Sequence, residues 1–323
     1  MSLSLFLLCA AASAAVAFST SALLGVGLSM VRSRLDGLTA AAQARVLFGI
    51  ALLPALVCLA VMTAALAPSF GWIVDHCPQS ADPHHHPHIC AHHVSVLPAW
   101  PLVLLGTLLL IRLAVSAARL LRGGVAVLST KRVLTRTSNG SDMDGVRILP
   151  LEEPQAFVVG ALSPELFITQ GLLSDAHREH LAPALSHERA HLRRRDPLRR
   201  AVASVALGFH LPGVAAWLER RLSRAHELAA DEEAALEIRS PERVARALVS
   251  LTRAQRRAPR MAMAFGASDV EARVASLLDP RPRQDQPRKA VLIGGVALLF
   301  ALVGLMPDAV HHGVEIVLGL LSG

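Results

Sequence analysis

"SHERAHLRRRD", residues 186–196, sets two histidines four apart with a glutamate directly after the first. On an α-helix, residues i and i+4 share a face, so His187 and His191 can present two imidazoles to one ion. Glu188, one step further round, can reach a water beside that ion without being a ligand itself. H-E-x-x-H on a helix is the arrangement that binds zinc with its glutamate as general base. With 15 histidines in 323 residues, chance alone gives such a match in about 3% of chains. The motif therefore needs support from the rest of the chain.

A catalytic zinc takes three protein ligands and keeps a fourth position open. "HELAADEEA", residues 226–234, offers Glu227 and Asp231, again at i and i+4, within an amphipathic helix read over residues 218–238. Glu227 is the candidate third ligand, and Asp231 is an acceptor able to fix one imidazole tautomer. A solvated acidic face fits the same pattern, because Glu219, Glu232, Glu233 and Glu237 crowd the region. Spacing by itself does not single out Glu227.

The chain is 53% hydrophobic with only 4% aromatic residues and no tyrosine, and its mean hydropathy is +0.45. That surplus of Ala, Leu and Val suits membrane helices better than an aromatic-packed core. Four stretches are long and apolar enough to span a bilayer, which takes about 20 residues. They lie at about 3–31, 46–67 and 97–121, with a fourth from Ala290 onward that is clear of charge to Met306. The first lacks a basic leader and reads as a retained helix. Arg112 and Arg119 sit near one end of the third, where long side chains can snorkel. A sequence pI of 10.4 invites a nucleic-acid reading, but the arginines lack interleaved aromatics and membrane topology accounts for them. Direct nucleic-acid binding is not expected.

Arginine placement sets the orientation. The loop Arg32–Arg45 is basic, residues 71–96 hold no Lys or Arg, and the long segment 122–289 carries most of the positive charge. The expected N-terminus is outside and the 122–289 domain cytoplasmic. The chain thus divides into a membrane part (1–121), a soluble domain (122–289), and a last helix with a short outer tail (290–323). The fold class is a mainly α membrane protein with four transmembrane helices. Between the third and fourth lies a cytoplasmic α+β domain of zincin type.

Within that domain, "VAVLS" (125–129) is β-prone, "SNGSDMDG" (138–145) is a loop, and "VRILPLEE" resumes an extended pattern. "AFVVG" (156–160) and "LFITQG" (166–171) read as two strands joined at Ser163-Pro164, with helix expected from Ser174 or Asp175 as N-cap. Pro183 is expected to open the motif helix or to kink it after one turn. Residues 201–217, uncharged and interrupted by His210 and Pro212, read as a buried helix. Dipping into the bilayer is the alternative. Residues 281–289, rich in Pro and Arg, read as a linker.

The segment 156–280 resembles the membrane metallopeptidases of the beta-lactam-sensing antirepressor type, the BlaR/MecR-like gluzincins. HtpX-type and CAAX prenyl proteases are more distant kin. The resemblance rests on "AFVVG", "SPELFITQGLL", "LSHERAHLRRRD", "HLPGVAAW", "HELAADEEA" and "EARVASLLD", in that order. It implies one Zn²⁺ held by His187, His191 and Glu227, with Glu188 as catalytic base and Asp231 and Asp196 as orienting residues. It also implies that Ala156, Phe157, Val158, Val159 and Gly160 form the edge on which an extended substrate pairs. The implied substrate is a protein, a winged-helix transcriptional repressor in the family pattern, cleaved at the cytoplasmic face of a lipid membrane. About seventeen residues follow Met306, so a penicillin-binding sensor after the last helix is not expected. Ala230 stands where the family often has Cys.

One further element competes for attention. "DHCPQSADPHHHPHICAHH" (75–93) holds seven histidines and two cysteines between the second and third helices. His84, His85, His86, His88, His92 and His93, with Cys77 and Cys90, form a candidate outer metal loop for Zn²⁺ or copper. In an oxidising compartment the two cysteines can instead close the loop as a disulfide. The alternative function is then a metal-sensing or metal-handling membrane protein, with the peptidase domain as its effector or an inactive scaffold.

Overall fold

A computed structural model describes residues 3–66, 100–138, 145–257 and 267–279. The His-rich loop 75–93, the linker 281–289 and the expected fourth span all lie outside the described residues. Three long helices come first: α1 (Leu3–Asp36), α2 (Ala40–Leu66) and α3 (Trp100–Thr137). All three are long and apolar enough to cross a bilayer. They pack through small residues, and a Cβ on Gly106 of α3 would lie 2.9 Å from the Ala11 backbone nitrogen of α1.

The third helix does not stop near 121. It runs on through "VAVLS", where the sequence reads as β-prone. Val125 and Leu128 are 67% and 56% exposed, and among the described residues no neighbouring strand pairs with them. Extending an existing helix adds one hydrogen bond per residue, whereas a strand without a partner adds none. Arg112 does not snorkel either: its guanidinium donates to the carbonyls of Leu207 and Gly208, each at 3.2 Å.

A small sheet follows, with β1 (Val146–Leu149), β2 (Ala156–Val159) and β3 (Glu165–Thr169) in the order β1-β3-β2. The central strand β3 pairs parallel with β1 and antiparallel with β2. Its Leu166, Phe167 and Ile168 are buried, which is the apolar run expected of a strand covered on both sides. β2 is an edge strand among the described residues, the position that the resemblance implies. It ends at Val159; Gly160, counted with it in the sequence reading, is the turn residue. Its φ is +110°, and a Cβ there would lie 2.7 Å from the Ser163 carbonyl oxygen, so only glycine fits.

The rest is helical: α4 (Gln170–Leu173), α5 (Arg178–Arg194), α6 (Asp196–Ala206), a 3₁₀ turn (Leu207–Phe209), α7 (Pro212–Ile238), α8 (Pro241–Arg257) and α9 (Ala267–Leu278). Ser174 does not cap the motif helix. Its hydroxyl closes α4 on the Gly171 carbonyl at 2.7 Å, and α5 begins only at Arg178. Pro183 does not open α5; it is buried in the second turn, leaving the Glu179 carbonyl without its usual N–H donor. Residues 201–217 are not one helix, because the chain breaks at 207–211 between α6 and α7. That break packs on the membrane helices, with Leu47, Ala51, Ala203, Leu207 and Leu218 in one core.

Candidate metal centre

The motif histidines sit where α5 faces α7. His187 Nε2 and His191 Nε2 are 3.2 Å apart. Glu227, on α7, completes the group: Oε2 is 3.6 Å from His187 Nε2, and Oε1 is 3.8 Å from His191 Nε2. Zinc bonds of 2.0–2.2 Å in a tetrahedron put neighbouring ligand atoms about 3.3–3.5 Å apart. One donor atom from each of the three residues lies within 4.8 Å of the others, so the three side chains could hold one ion.

The other ring nitrogens explain why they point inward. His187 Nδ1 lies 2.9 Å from Asp231 Oδ1, one helical turn beyond Glu227 on α7. His191 Nδ1 lies 2.7 Å from Asp196 Oδ2. Each imidazole donates Nδ1–H to a carboxylate, which directs the Nε2 lone pair at the common centre. Two ring nitrogens and a carboxylate then converge on one point, an arrangement suited to a cation, whether a metal ion or the proton that His187 takes up in its place. Burial pushes His187 down, but Asp231 and Glu227 outweigh it and lift its pKa to about 10.

Local backbone geometry puts Asp196 there. Arg195 ends α5 in the left-handed region, with φ 53° and ψ 39°, and its N–H closes on the His191 and Leu192 carbonyls. The next residue opens α6 and turns back onto His191. Burial would raise the Asp196 carboxyl, yet His191 and Arg194 hold it down to about 2, so it is an anion at any ordinary pH. Asp196→Asn keeps the shape but can present N–H to a ring nitrogen that is itself a donor. A fall of about 10–100-fold in zinc affinity is expected, measurable by chelator competition, with the fold retained.

The arginines of "LRRRD" do more than mark a side of the membrane. Arg193 pairs with Glu233 at 2.6 Å and Glu237 at 3.1 Å. Arg194 bonds Asp196 at 2.5 Å and the His226 carbonyl at 2.9 Å. They fasten α5 and the start of α6 to α7, and so hold the two histidines against the third donor. The acidic residues around Glu227, which the sequence could not distinguish from it, are in part the partners of these arginines.

Two supporting residues escape the sequence reading. Arg273 of α9 grips Asp231 with two bonds of 2.7 and 2.8 Å and reaches Glu227 Oε2 at 3.3 Å. Arg200, one turn beyond Asp196, meets Glu227 Oε1 at 2.6 Å. Against the pull of burial, the ion pairs with His187 and Arg273 hold both Glu227 and Asp231 below the usual carboxylate range. The available signal was faint: an arginine in the apolar run "EARVASLL", 42 residues from Asp231.

Glu188 lies beside this centre. Burial, with Glu227 adding to it, raises its carboxyl above the ordinary value, and the two histidines only partly oppose this. A cavity of about 230 Å³ opens next to His187, Glu188 and Glu227. Its apolar wall comes from Pro183 and Ala184 of α5, Leu248 and Leu251 of α8, Val270 of α9, and Ala156 of the edge strand. Among the residues implied for substrate pairing, Ala156 alone borders the cavity; Phe157, Val158 and Val159 continue along the edge.

Two imidazoles four apart on α5 and a glutamate from α7 could together hold a metal ion, with the Glu188 carboxyl beside them. Comparison with known proteins points the same way. Residues 131–218 match the profile of Peptidase family M48, a stretch that includes His187, Glu188, His191 and Asp196 but stops short of Glu227. A "Protease HtpX homolog" of Salinibacter ruber is 30% identical over 146 residues, covering 36% of this chain and 52% of that protein. Another of that description, from Desulfatibacillum aliphaticivorans, is 37% identical over 83 residues, covering 24% and 26%. The chain thus spans about half the length of one relative and a quarter of the other. No solved structure matches. These relatives are of the HtpX type, which the sequence resemblance set at the greater distance.

Proposed function

We propose that this chain is a membrane-anchored zinc endopeptidase, hydrolysing peptide bonds at the cytoplasmic face of the bilayer. The observation that carries the reading is the convergence of His187, His191 and Glu227, with donor atoms within 4.8 Å of one another, each imidazole held by a carboxylate, beside a fourth carboxyl. Zinc held there would polarise a peptide carbonyl and acidify a water. Glu188 takes the proton from the attacking water on a carboxylate oxygen and returns it to the leaving amine. Asp231 and Asp196 keep both rings in the ligating tautomer. The open edge of β2 supplies backbone hydrogen bonds to an extended substrate.

The cavity speaks to specificity. Away from Glu188 and the metal-site residues its polar groups are engaged: Arg273 is bound to Asp231, and the Thr252 hydroxyl donates to the Leu248 carbonyl at 2.7 Å. It suits one apolar side chain next to the scissile bond. Leu248→Trp is expected to narrow it and shift preference at that one position toward smaller side chains by about 10-fold or more. Cleavage-site profiling with a peptide library reads this directly.

Packing as well as charge supports the proposed membrane side. Asp36 pairs with Arg221, and the Ala40 N–H reaches Glu232 at 3.3 Å. The basic Arg32–Arg45 loop therefore lies on the same side as the metal centre, which supports a cytoplasmic site. A transcriptional repressor is the substrate we favour within this reading. Incubating the purified full chain with peptides before and after chelation tests the enzyme itself. Hydrolysis should vanish on chelation and return with about one equivalent of Zn²⁺. Hydrolysis that persists in chelator would contradict the proposal.

A further inference from the structure

The turn at residues 207–211 joins the two helices on which the metal centre depends. α6 begins with Asp196, which orients His191; α7 carries Glu227 and Asp231. We infer that this turn, through His210, is the point at which the membrane helices position the metal centre. The inference rests on the zinc reading above.

All three membrane helices hold the turn. His210 is fully buried, and its Nε2 lies 3.1 Å from the Ala51 carbonyl of α2. The Ile50 carbonyl faces the same ring. Pro54, four residues on and without an N–H, leaves Ile50 without its helical donor. Nε2 is therefore the protonated nitrogen, and Nδ1 accepts from the Ser21 hydroxyl of α1 at 3.2 Å. Ser21 Oγ in turn accepts the Leu211 N–H at 2.9 Å. The donors run in one direction: Leu211 to Ser21, Ser21 to His210, His210 to Ala51.

Arg112 of α3 adds the two bonds already described, satisfying carbonyls where α6 ends. Phe209 and Leu211, on either side of His210, pack against Ala14, Phe18 and Leu109. Each polar group here sits in apolar surroundings, where losing a partner is costly. The turn therefore cannot shift independently of the three helices. A rotation or slide of any one of them displaces the end of α6 and the start of α7 together. Asp196 lies at the far end of α6, and Glu227 lies about midway along α7.

The test uses the full chain in detergent, with Zn²⁺ affinity by chelator competition as the readout and helix content by circular dichroism beside it. His210→Leu removes the network, while His210→Gln keeps a donor and an acceptor. Cys58→Ala is the control: its thiol donates to the Ser13 carbonyl at 3.8 Å, linking α1 and α2 away from the turn. Affinity should fall about 10-fold or more in His210→Leu at unchanged helix content, recover in His210→Gln, and stay within about twofold in Cys58→Ala. Unchanged affinity in His210→Leu would overturn the inference, as would an equal loss in Cys58→Ala. If His210→Leu does not fold, Ser21→Ala decides by the same criterion, a loss supporting the inference and no change overturning it. A wild-type chain that binds no zinc would refute the zinc reading itself.

Discussion

Replacing Glu188 with Gln is expected to lower peptide hydrolysis by about 10²–10⁴-fold, the usual contribution of a positioned general base, while zinc remains bound. The amide keeps the size and the neighbours of the carboxyl but cannot take a proton. The three proposed ligands are untouched, and both imidazoles keep their carboxylate partners. Burial already raises the Glu188 carboxyl above its ordinary value, which makes its ionised form a stronger proton acceptor. Kinetics on the purified chain, with metal content measured on the same sample, separates loss of chemistry from loss of metal. Hydrolysis at the wild-type rate in Glu188→Gln would remove the residue from the mechanism.

Arg273→Met is expected to give the largest loss of stability of any single change at the site. Arg273 and Asp231 are 8% and 2% exposed and meet through two short bonds. Removing one partner of a buried pair leaves the other uncompensated and costs about 3–5 kcal/mol. Here the stranded charge is the carboxylate that orients His187, and Glu227 loses a neighbour at the same stroke. The variant should therefore combine a large drop in denaturation midpoint with weakened zinc binding. Arg273→Lys retains the charge but not the planar fork, so it should fall between the two. A change below about 1 kcal/mol would mean that solvent reaches the pair and the centre is looser than its geometry.

What could be read in advance divides along physical lines. His187 and His191 are legible because helical spacing alone places them on one face, and Glu227 and Asp231 repeat that spacing. Asp196 becomes a partner of His191 because Arg195 adopts a left-handed conformation, which residue order does not announce. Arg273 and Arg200 were not legible as site residues: their partners lie 42 and 27 positions away, and only packing joins them. The error over α3 has another source. A β-prone run was judged on propensity, although no strand was available to pair with it. Arg112 and His210 look like irregularities in apolar segments until the turn they bind is in place.

The central claim is that one zinc ion is held by His187, His191 and Glu227. Metal analysis of the purified full chain lacking residues 76–93 tests it most directly, because the outer histidines can no longer contribute. The account predicts about one equivalent of zinc per chain, falling to none in His187→Ala or His191→Ala. Equal zinc content in the parent and both variants would contradict it.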